Sequence, residues 1–232
     1  MTVLILQARL DSSRLPGKAL LELVPGLSLL EAVFAQLAAV AADERILACP
    51  EDSFEAFTPF AKKAGWRIIA GDKDDVLGRY EAALRFIPAF GKEKDDLVLR
   101  ATGDNPFVLV TSANALVRDF FTSGADYACY EGLPHGSGLE YVRAGALFEA
   151  AKNAKDPYER EHVCPYLYRR PQDFSIYRPA LPTALARPDL RLTVDTAVDL
   201  ARASLLWQKV DGPCVDDYRV VKMASRLAEA AV

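Results

Sequence analysis

Short, uniformly apolar runs alternate with longer segments of helical spacing, and this rhythm constrains the chain more than any other feature. Val-Leu-Ile-Leu at 3–6 stops abruptly at Gln7, and apolar residues at helical spacing follow over 27–42. The rhythm repeats with predicted strands at 45–49, 66–70 and 97–100 and predicted helices at 53–64 and 76–90. Runs that are apolar at every position suit strands buried on both faces, and the helices between them supply the crossovers. The expectation is an α/β fold: a mostly parallel sheet with helices on both faces and right-handed connections.

Beyond residue 125 the alternation loosens. Strands are predicted at 126–130, 139–142, 174–179 and 190–194, and helices at 144–153, 158–168, 197–210 and 215–230. Asp156-Pro157 stands where an N-cap and first helical residue belong. Loops rich in Pro, Gly or Ser fall at 133–138 and 179–188. The chain reads as a single domain over 1–232, with 131–185 as an insertion or subdomain. At 51% hydrophobic and 26% charged, its 232 residues can bury a large core, which excludes global disorder. A formal charge of −4 argues against a general nucleic-acid surface while permitting a local basic pocket. No apolar run reaches the roughly 18–20 residues of a spanning helix. The apolar start is too short, and too quickly followed by arginine, for a signal peptide. Four scattered cysteines without a CxxC pair suit reduced thiols in the cytoplasm.

Chemistry gathers where strands end. The first strand runs into Gln7-Ala8-Arg9-Leu10-Asp11-Ser12-Ser13-Arg14-Leu15-Pro16-Gly17-Lys18. Ligands of open α/β sheets bind at such carboxyl ends. Arg9, Arg14 and Lys18, with two serine hydroxyls and a Pro-Gly turn to fold the lysine back, suit a polyphosphate; the plain alternative is a solvated basic loop. Neither GxxxxGK[ST] nor GxGxxG is present. Arg100-Ala101-Thr102-Gly103-Asp104-Asn105-Pro106 and Leu190-Arg191-Leu192-Thr193-Val194-Asp195-Thr196 each end a predicted strand in a carboxylate. Each could be a helix cap: Asp104 or Asn105 for the helix near Val110, and Asp195 or Thr196 for the next one, with Asp199 completing a capping box. Taken together beside a basic loop, the two aspartates suggest Mg²⁺, which prefers oxygen ligands and shares them with substrate phosphates. Asp74 or Asp75 suits a helix cap, with Arg79 a turn inside that helix. His135 and His162 are far apart without metal spacing, which argues against zinc, and no GxSxG elbow is present.

In this order the motifs resemble the cytidylyltransferases that activate acidic sugars, in particular their spore-coat polysaccharide biosynthesis (SpsF-like) branch. Ala8-Arg9-x-x-Ser12-x-Arg14-Leu15-Pro16-Gly17-Lys18 is similar to the opening signature of the CMP-KDO and CMP-sialate synthetases. Residues 100–106, Asp72 through Tyr80, Arg160-Glu161-His162 with Pro165-Tyr166, and Leu192 through Thr196 with Asp199-Leu200 continue the likeness over about residues 3–207. Two stretches depart from the pattern: Ala101-Thr102-Gly103, where glutamine is frequent, and Val163-Cys164, where threonine is expected.

The resemblance implies a nucleotide-diphospho-sugar transferase sandwich, commonly a homodimer, and a Mg²⁺-dependent reaction. CTP and an acidic sugar or related acceptor would give a CMP conjugate and pyrophosphate, in surface polysaccharide biosynthesis. Arg9, Ser12, Arg14 and Lys18 would bind the phosphates. Asp75 and Arg79 would lie near base or phosphates, and Thr102 and Gly103 near the nucleotide. Asp104 and Asp195 would hold the metal and, with Arg14 and Lys18, carry catalysis. Glu140, Tyr158, Arg160 and His162, all in the 131–185 segment, would contact the acceptor, and the same segment could serve dimerisation. Two alternatives stand beside this reading. One is a glycosyltransferase using a nucleotide sugar, for which Asp72-Lys73-Asp74 is formally a DxD; the other is a non-enzymatic binding partner.

Overall fold

The computed structural model describes residues 1–88, 90, 91, 93 and 96–230. Strand β1 (Thr2–Gln7) lies inside a seven-stranded sheet because all four of its apolar residues, Val3 to Leu6, are fully buried. In chain order follow the β2–β3 hairpin (Glu22–Val24 and Leu27–Ser28), α1 (Leu29–Leu37), β4 (Glu44–Pro50), α2 (Glu51–Ala64), β5 (Arg67–Gly71), α3 (Val76–Arg85) and β6 (Leu97–Thr102). After these come α4 (Val110–Ser123), β7 (Tyr127–Ala128), β8 (Glu140–Arg143), α5 (Ala144–Asn153), α6 (Pro157–His162), α7 (Pro165–Tyr168), β9 (Ile176–Tyr177), α8 (Ala197–Val210) and α9 (Asp217–Glu229). The sheet order is β5-β4-β1-β6-β8-β7-β9. Strands β5, β4, β1 and β6 are parallel, β8 runs antiparallel to both β6 and β7, and β9 joins β7 in parallel.

Alternation along the strands sorts the core into two layers. Leu4, Leu6, Leu97 and Leu99 pack with α1, α2, α4, α8 and α9, whereas Val3, Ile5, Val98 and Val142 pack with α3, α5 and α7. The predicted two-sided α/β sandwich is therefore the observed architecture. Among the described residues no helix is long and apolar enough to cross a membrane.

Four expectations are corrected. Residues 190–194 form no sheet strand. They are extended, but their backbone is claimed by a loop: His135 N–H donates to Leu190 O (2.8 Å), Leu192 N–H to His135 O (2.7 Å) and Val194 N–H to Asp104 O (2.8 Å). The helix over 158–168 is broken at Val163, whose φ of 72° and ψ of −60°, with Cys164 N–H donating to His162 O (2.9 Å), form a strained γ-turn. The helix over 27–42 shortens to α1, because Ser28 and Glu31 close a capping box that starts it at Leu29. The helix over 76–90 ends at Arg85, and Ala89 of that prediction lies outside the described residues.

Candidate active site

The loop after β1 is folded by its own backbone. Gly17 N–H donates to Leu10 O (2.9 Å), Lys18 N–H donates to Leu15 O (3.1 Å), and Ser53 Oγ accepts from Leu10 N–H (3.2 Å). Gly17 takes φ 67°, a left-handed conformation that glycine adopts without steric cost, and this reverses the chain so that Lys18 points back across the strand ends. There its ammonium meets three acceptors: Asp104 Oδ2 (2.9 Å), Asp195 Oδ1 (3.0 Å) and Val194 O (2.9 Å). Residues 86 and 177 positions apart thus converge on one lysine.

Asp104 follows directly from β6. Gly103 N–H donates to Gln7 O (2.8 Å), and a Cβ at Gly103 would fall 2.7 Å from Ala8 Cβ, so only glycine lets the ends of β6 and β1 approach this closely. Asp104 does not cap α4, whose first N–H groups are taken by Asp217: Thr111 N donates to Oδ1 (3.1 Å) and Ser112 N to Oδ2 (2.7 Å). Nor does Asp195 cap α8. Thr196 does so in a capping box with Asp199, which leaves the Asp195 carboxylate to Lys18, to Arg14 (3.0 Å) and to Arg191. Burial pushes the Asp195 carboxyl up, but the Lys18 hydrogen bond and the three cations outweigh it and hold the group below its usual value.

These groups border a cavity of about 490 Å³. Arg9, Ser12, Arg14 and Lys18 line it from the loop, Thr102, Gly103 and Asp104 from the end of β6, Asp195 from the segment before α8, Arg79 from α3 and His162 from α6. Arg79 is nearly fully buried. It donates to the carbonyls of Asp72 and Lys73, its Nε has no partner, and burial lowers its pKa. The other four predicted residues stand outside the cavity wall. Asp75 caps α3 through Gly78 N–H (2.8 Å) and pairs with Arg160, whose Nε donates to the same Oδ1 (2.8 Å). Tyr158 stacks on His162 with ring centroids 4.2 Å apart, and Glu140 is paired with Arg100. Asp72 Oδ1 accepts from Asp74 N–H and Asp75 N–H at 2.8 Å each, which engages the first carboxylate of the DxD-like stretch in the turn before α3.

Sequence reasoning did not select as site residues Gln7, Arg100, Asn105 (weighed only as a cap), His135 (weighed only against zinc) or Thr193, all of which line the cavity, nor Arg191, which pairs with Asp195. A usable signal existed for Gln7 and Arg100, since a polar residue ending a buried strand and an arginine inside one are both costly without a purpose. Among the lining side chains, six are cationic (Arg9, Arg14, Lys18, Lys73, Arg79 and Arg100) and three are carboxylates (Asp104, Glu161 and Asp195). A chain of net charge −4 therefore concentrates positive charge in one cleft, as binding of a polyanion requires. Among the described residues no group of three or more His, Cys, Asp or Glu side chains is placed to hold a metal ion by itself. Two carboxylates sharing one ammonium are still a donor set suited to a hard divalent cation that completes its shell with phosphate oxygens.

Comparison with known proteins identifies the family. The chain matches the cytidylyltransferase family over residues 3–218. It is 33% identical over 221 residues to an uncharacterized protein of Methanocaldococcus jannaschii, covering 94% of this chain and 87% of that one. It is 28% identical over 234 residues to the spore coat polysaccharide biosynthesis protein SpsF of Bacillus subtilis, covering 98% and 95%. A cytidylyltransferase from Leptospira borgpetersenii shares the fold with a TM-score of 0.83 at 21% identity, over 99% of this chain and 94% of that one. Fold, strand-end site and sequence together place the chain in the cytidylyltransferase family, whose members are nucleotidyltransferase enzymes.

Proposed function

We propose that the protein is a Mg²⁺-dependent cytidylyltransferase that joins CMP from CTP to an acidic sugar or related acceptor, releasing pyrophosphate, in surface polysaccharide biosynthesis. The observation that carries this reading is the convergence of Lys18 and Arg14 on Asp104 and Asp195 in a cationic cleft at the sheet's carboxyl edge. An acceptor hydroxyl oxygen attacks the α-phosphorus in line, the bond to the β-phosphate oxygen breaks, and the hydroxyl proton passes to solvent. Arg9, Arg14 and Lys18 follow the charge that develops on the departing pyrophosphate, and Ser12 supplies a further donor. Mg²⁺, held by Asp104 and Asp195, would add positive charge at the α-phosphate. Positioning and electrostatics suffice for such a transfer, so no nucleophilic side chain is required.

Arg79 and the backbone at Thr102 and Gly103 border the nucleotide. On the acceptor side His162 faces the cavity, and three other residues of the segment act behind the wall. Tyr158 stacks on His162, Arg160 ties α6 to α3 through Asp75, and Glu140 orients Arg100. Four free cysteines support a reducing, cytoplasmic setting. A homodimer, with residues 131–185 at the acceptor site or the subunit contact, completes the proposal.

The test is thermal stabilisation by CTP, UTP, ATP, GTP and nucleotide sugars, each with and without Mg²⁺. A ligand at 100 times its Kd stabilises by about 2.7 kcal/mol, which for a chain of this size raises the melting temperature by about 5–10 °C. Selective stabilisation by CTP with Mg²⁺, followed by pyrophosphate release with a sugar acid, is the expected outcome. Stabilisation by nucleotide sugars alone would move the assignment to a glycosyltransferase.

A further inference from the structure

On the α3/α6 face of the cavity lies a set of linked polar groups that the transfer step does not use. Arg100 Nε donates to Gln7 Oε1 (3.1 Å) and Arg100 Nη1 donates to Glu140 Oε2. The other Glu140 oxygen accepts from Tyr127 Oη (2.6 Å), and Tyr80 Oη lies 3.4 Å from the same Gln7 oxygen. Arginine has donors only, so the Gln7 atom facing it is the oxygen; a flipped amide would set donor against donor. The Gln7 NH₂ therefore turns away from Arg100. Both residues line the cavity, and among the described residues neither Gln7 Nε2 nor Arg100 Nη2 has a protein acceptor or is sealed from the cavity. Both Glu140 oxygens are taken, so what Gln7 and Arg100 themselves offer a ligand is N–H groups, with Glu161 of α6 the carboxylate that lines the cavity from this face. The nearly buried Arg79 guanidinium, which makes no carboxylate contact, adds positive charge on the same face.

We propose that Gln7 and Arg100 form a donor-only subsite that reads the carboxylate of the acceptor sugar, with Glu140 and Tyr127 as positioning residues that fix its direction. The proposal rests on the acidic-acceptor reading and deepens it by assigning residues to the acid group. A carboxylate accepts at both oxygens and donates at neither, so it fits this wall. A hydroxyl or amide in its place gains less, because its own hydrogens find no free acceptor on Gln7 or Arg100.

Gln7→Glu tests the proposal. The variant keeps the side-chain shape and the oxygen toward Arg100 but replaces the cavity-facing NH₂ by a carboxylate oxygen. Pyrophosphate release would be followed with CTP and a panel of sugar acids that includes 3-deoxy-manno-octulosonate and N-acetylneuraminate. The expected result is a KM for the sugar acid raised about 10- to 100-fold, as for loss of a hydrogen bond to a charged group, with the KM for CTP and the CTP-induced melting shift unchanged. Tyr127→Phe, which loosens Glu140 alone, should raise the same KM by a smaller factor and leave kcat and the KM for CTP unchanged. If Gln7→Glu does not fold, Gln7→Met removes the donor without adding charge, and the same KM rise is expected. An enzyme that uses a sugar acid but shows no KM change in the Gln7 variant overturns the subsite alone. A rise in the KM for CTP instead assigns the wall to the nucleobase and also overturns it. An unaltered enzyme that is stabilised by CTP but turns over no sugar acid overturns the acidic-acceptor reading, and the subsite with it.

Discussion

Replacing Lys18 by methionine retains most of the side-chain volume and removes the ammonium that ties the β1 loop to both Asp104 and Asp195. The Lys18 side chain is 12% exposed, against 27% for Asp104 and 15% for Asp195, so these contacts are shielded without being dry. Hydrogen bonds to charged groups contribute about 1.5–3 kcal/mol each. Two features reduce the loss: water reaches Asp104, and Arg14 and Arg191 still pair with Asp195. A net destabilisation of about 2 kcal/mol follows, and with it a melting temperature lower by about 4–8 °C. The effect on turnover is larger. The same ammonium is placed to meet the charge of the departing pyrophosphate, and deleting one fixed stabiliser of developing charge costs about 10²–10³ in kcat. Differential scanning calorimetry reads the first quantity, and pyrophosphate release under saturating CTP and acceptor reads the second. A variant that melts with the parent refutes the anchoring argument. One that turns over at the parent rate refutes the phosphate argument, and the two failures are independent.

Asp195 is held below the usual carboxylate value, so its pairing stabilises the fold above the unfolded-state pKa and is lost as pH falls through the lowered one. Melting temperatures between about pH 6 and pH 3 should therefore fall less steeply in Asp195→Asn than in the parent. Because Lys18 sits between the two carboxylates, Mg²⁺ without nucleotide should bind weakly. Calorimetric titration should show its affinity rising when CTP is present to draw Lys18 and Arg14 toward the phosphates, and EDTA should abolish turnover. Gly103→Ala places a methyl 2.7 Å from Ala8 Cβ and must push the ends of β6 and β1 apart; urea denaturation should show a loss of about 1–3 kcal/mol.

The sandwich was legible because fully buried strands leave an unmistakable trace: Val3 to Leu6 are apolar at every position and pair on both sides. The strand-end rule likewise located the basic loop and Asp104, since it depends on topology and not on contacts; Asp195 was reached through a predicted strand that does not form. Residues 190–194 misled because Leu190, Leu192 and Val194 are as buried as strand residues while their backbone bonds go to a loop, and hydropathy reports burial without reporting the partner. The β2–β3 hairpin went unread although Pro25-Gly26 marks its turn. The Gln7–Arg100–Glu140 chain could not be seen at all. Its members lie 93 and 40 residues apart and meet only once the sheet order is known. The kink at Val163 is hidden for another reason: a β-branched residue at positive φ costs about 1–3 kcal/mol, so local preference points the opposite way and only the surrounding packing enforces it.

The reversal of direction between β6 and β8 divides the cavity into two walls built in different ways. The cation-bearing wall hangs on β1 and β6, whose parallel ladder runs through the deepest part of the core. The opposite wall is reached by the loop between β7 and β8, where His135 and Gly136 stand, and only the two ends of that loop are anchored in the sheet strands. Insertions and exchanges in that loop can reshape one wall while the β1–β6 register, and everything suspended from it, stays in place. Relatives of this chain should accordingly diverge in length and composition around residues 131–139 long before they diverge at the end of β1. A library built by grafting that loop between relatives would exchange one half of a binding site and leave the other in place.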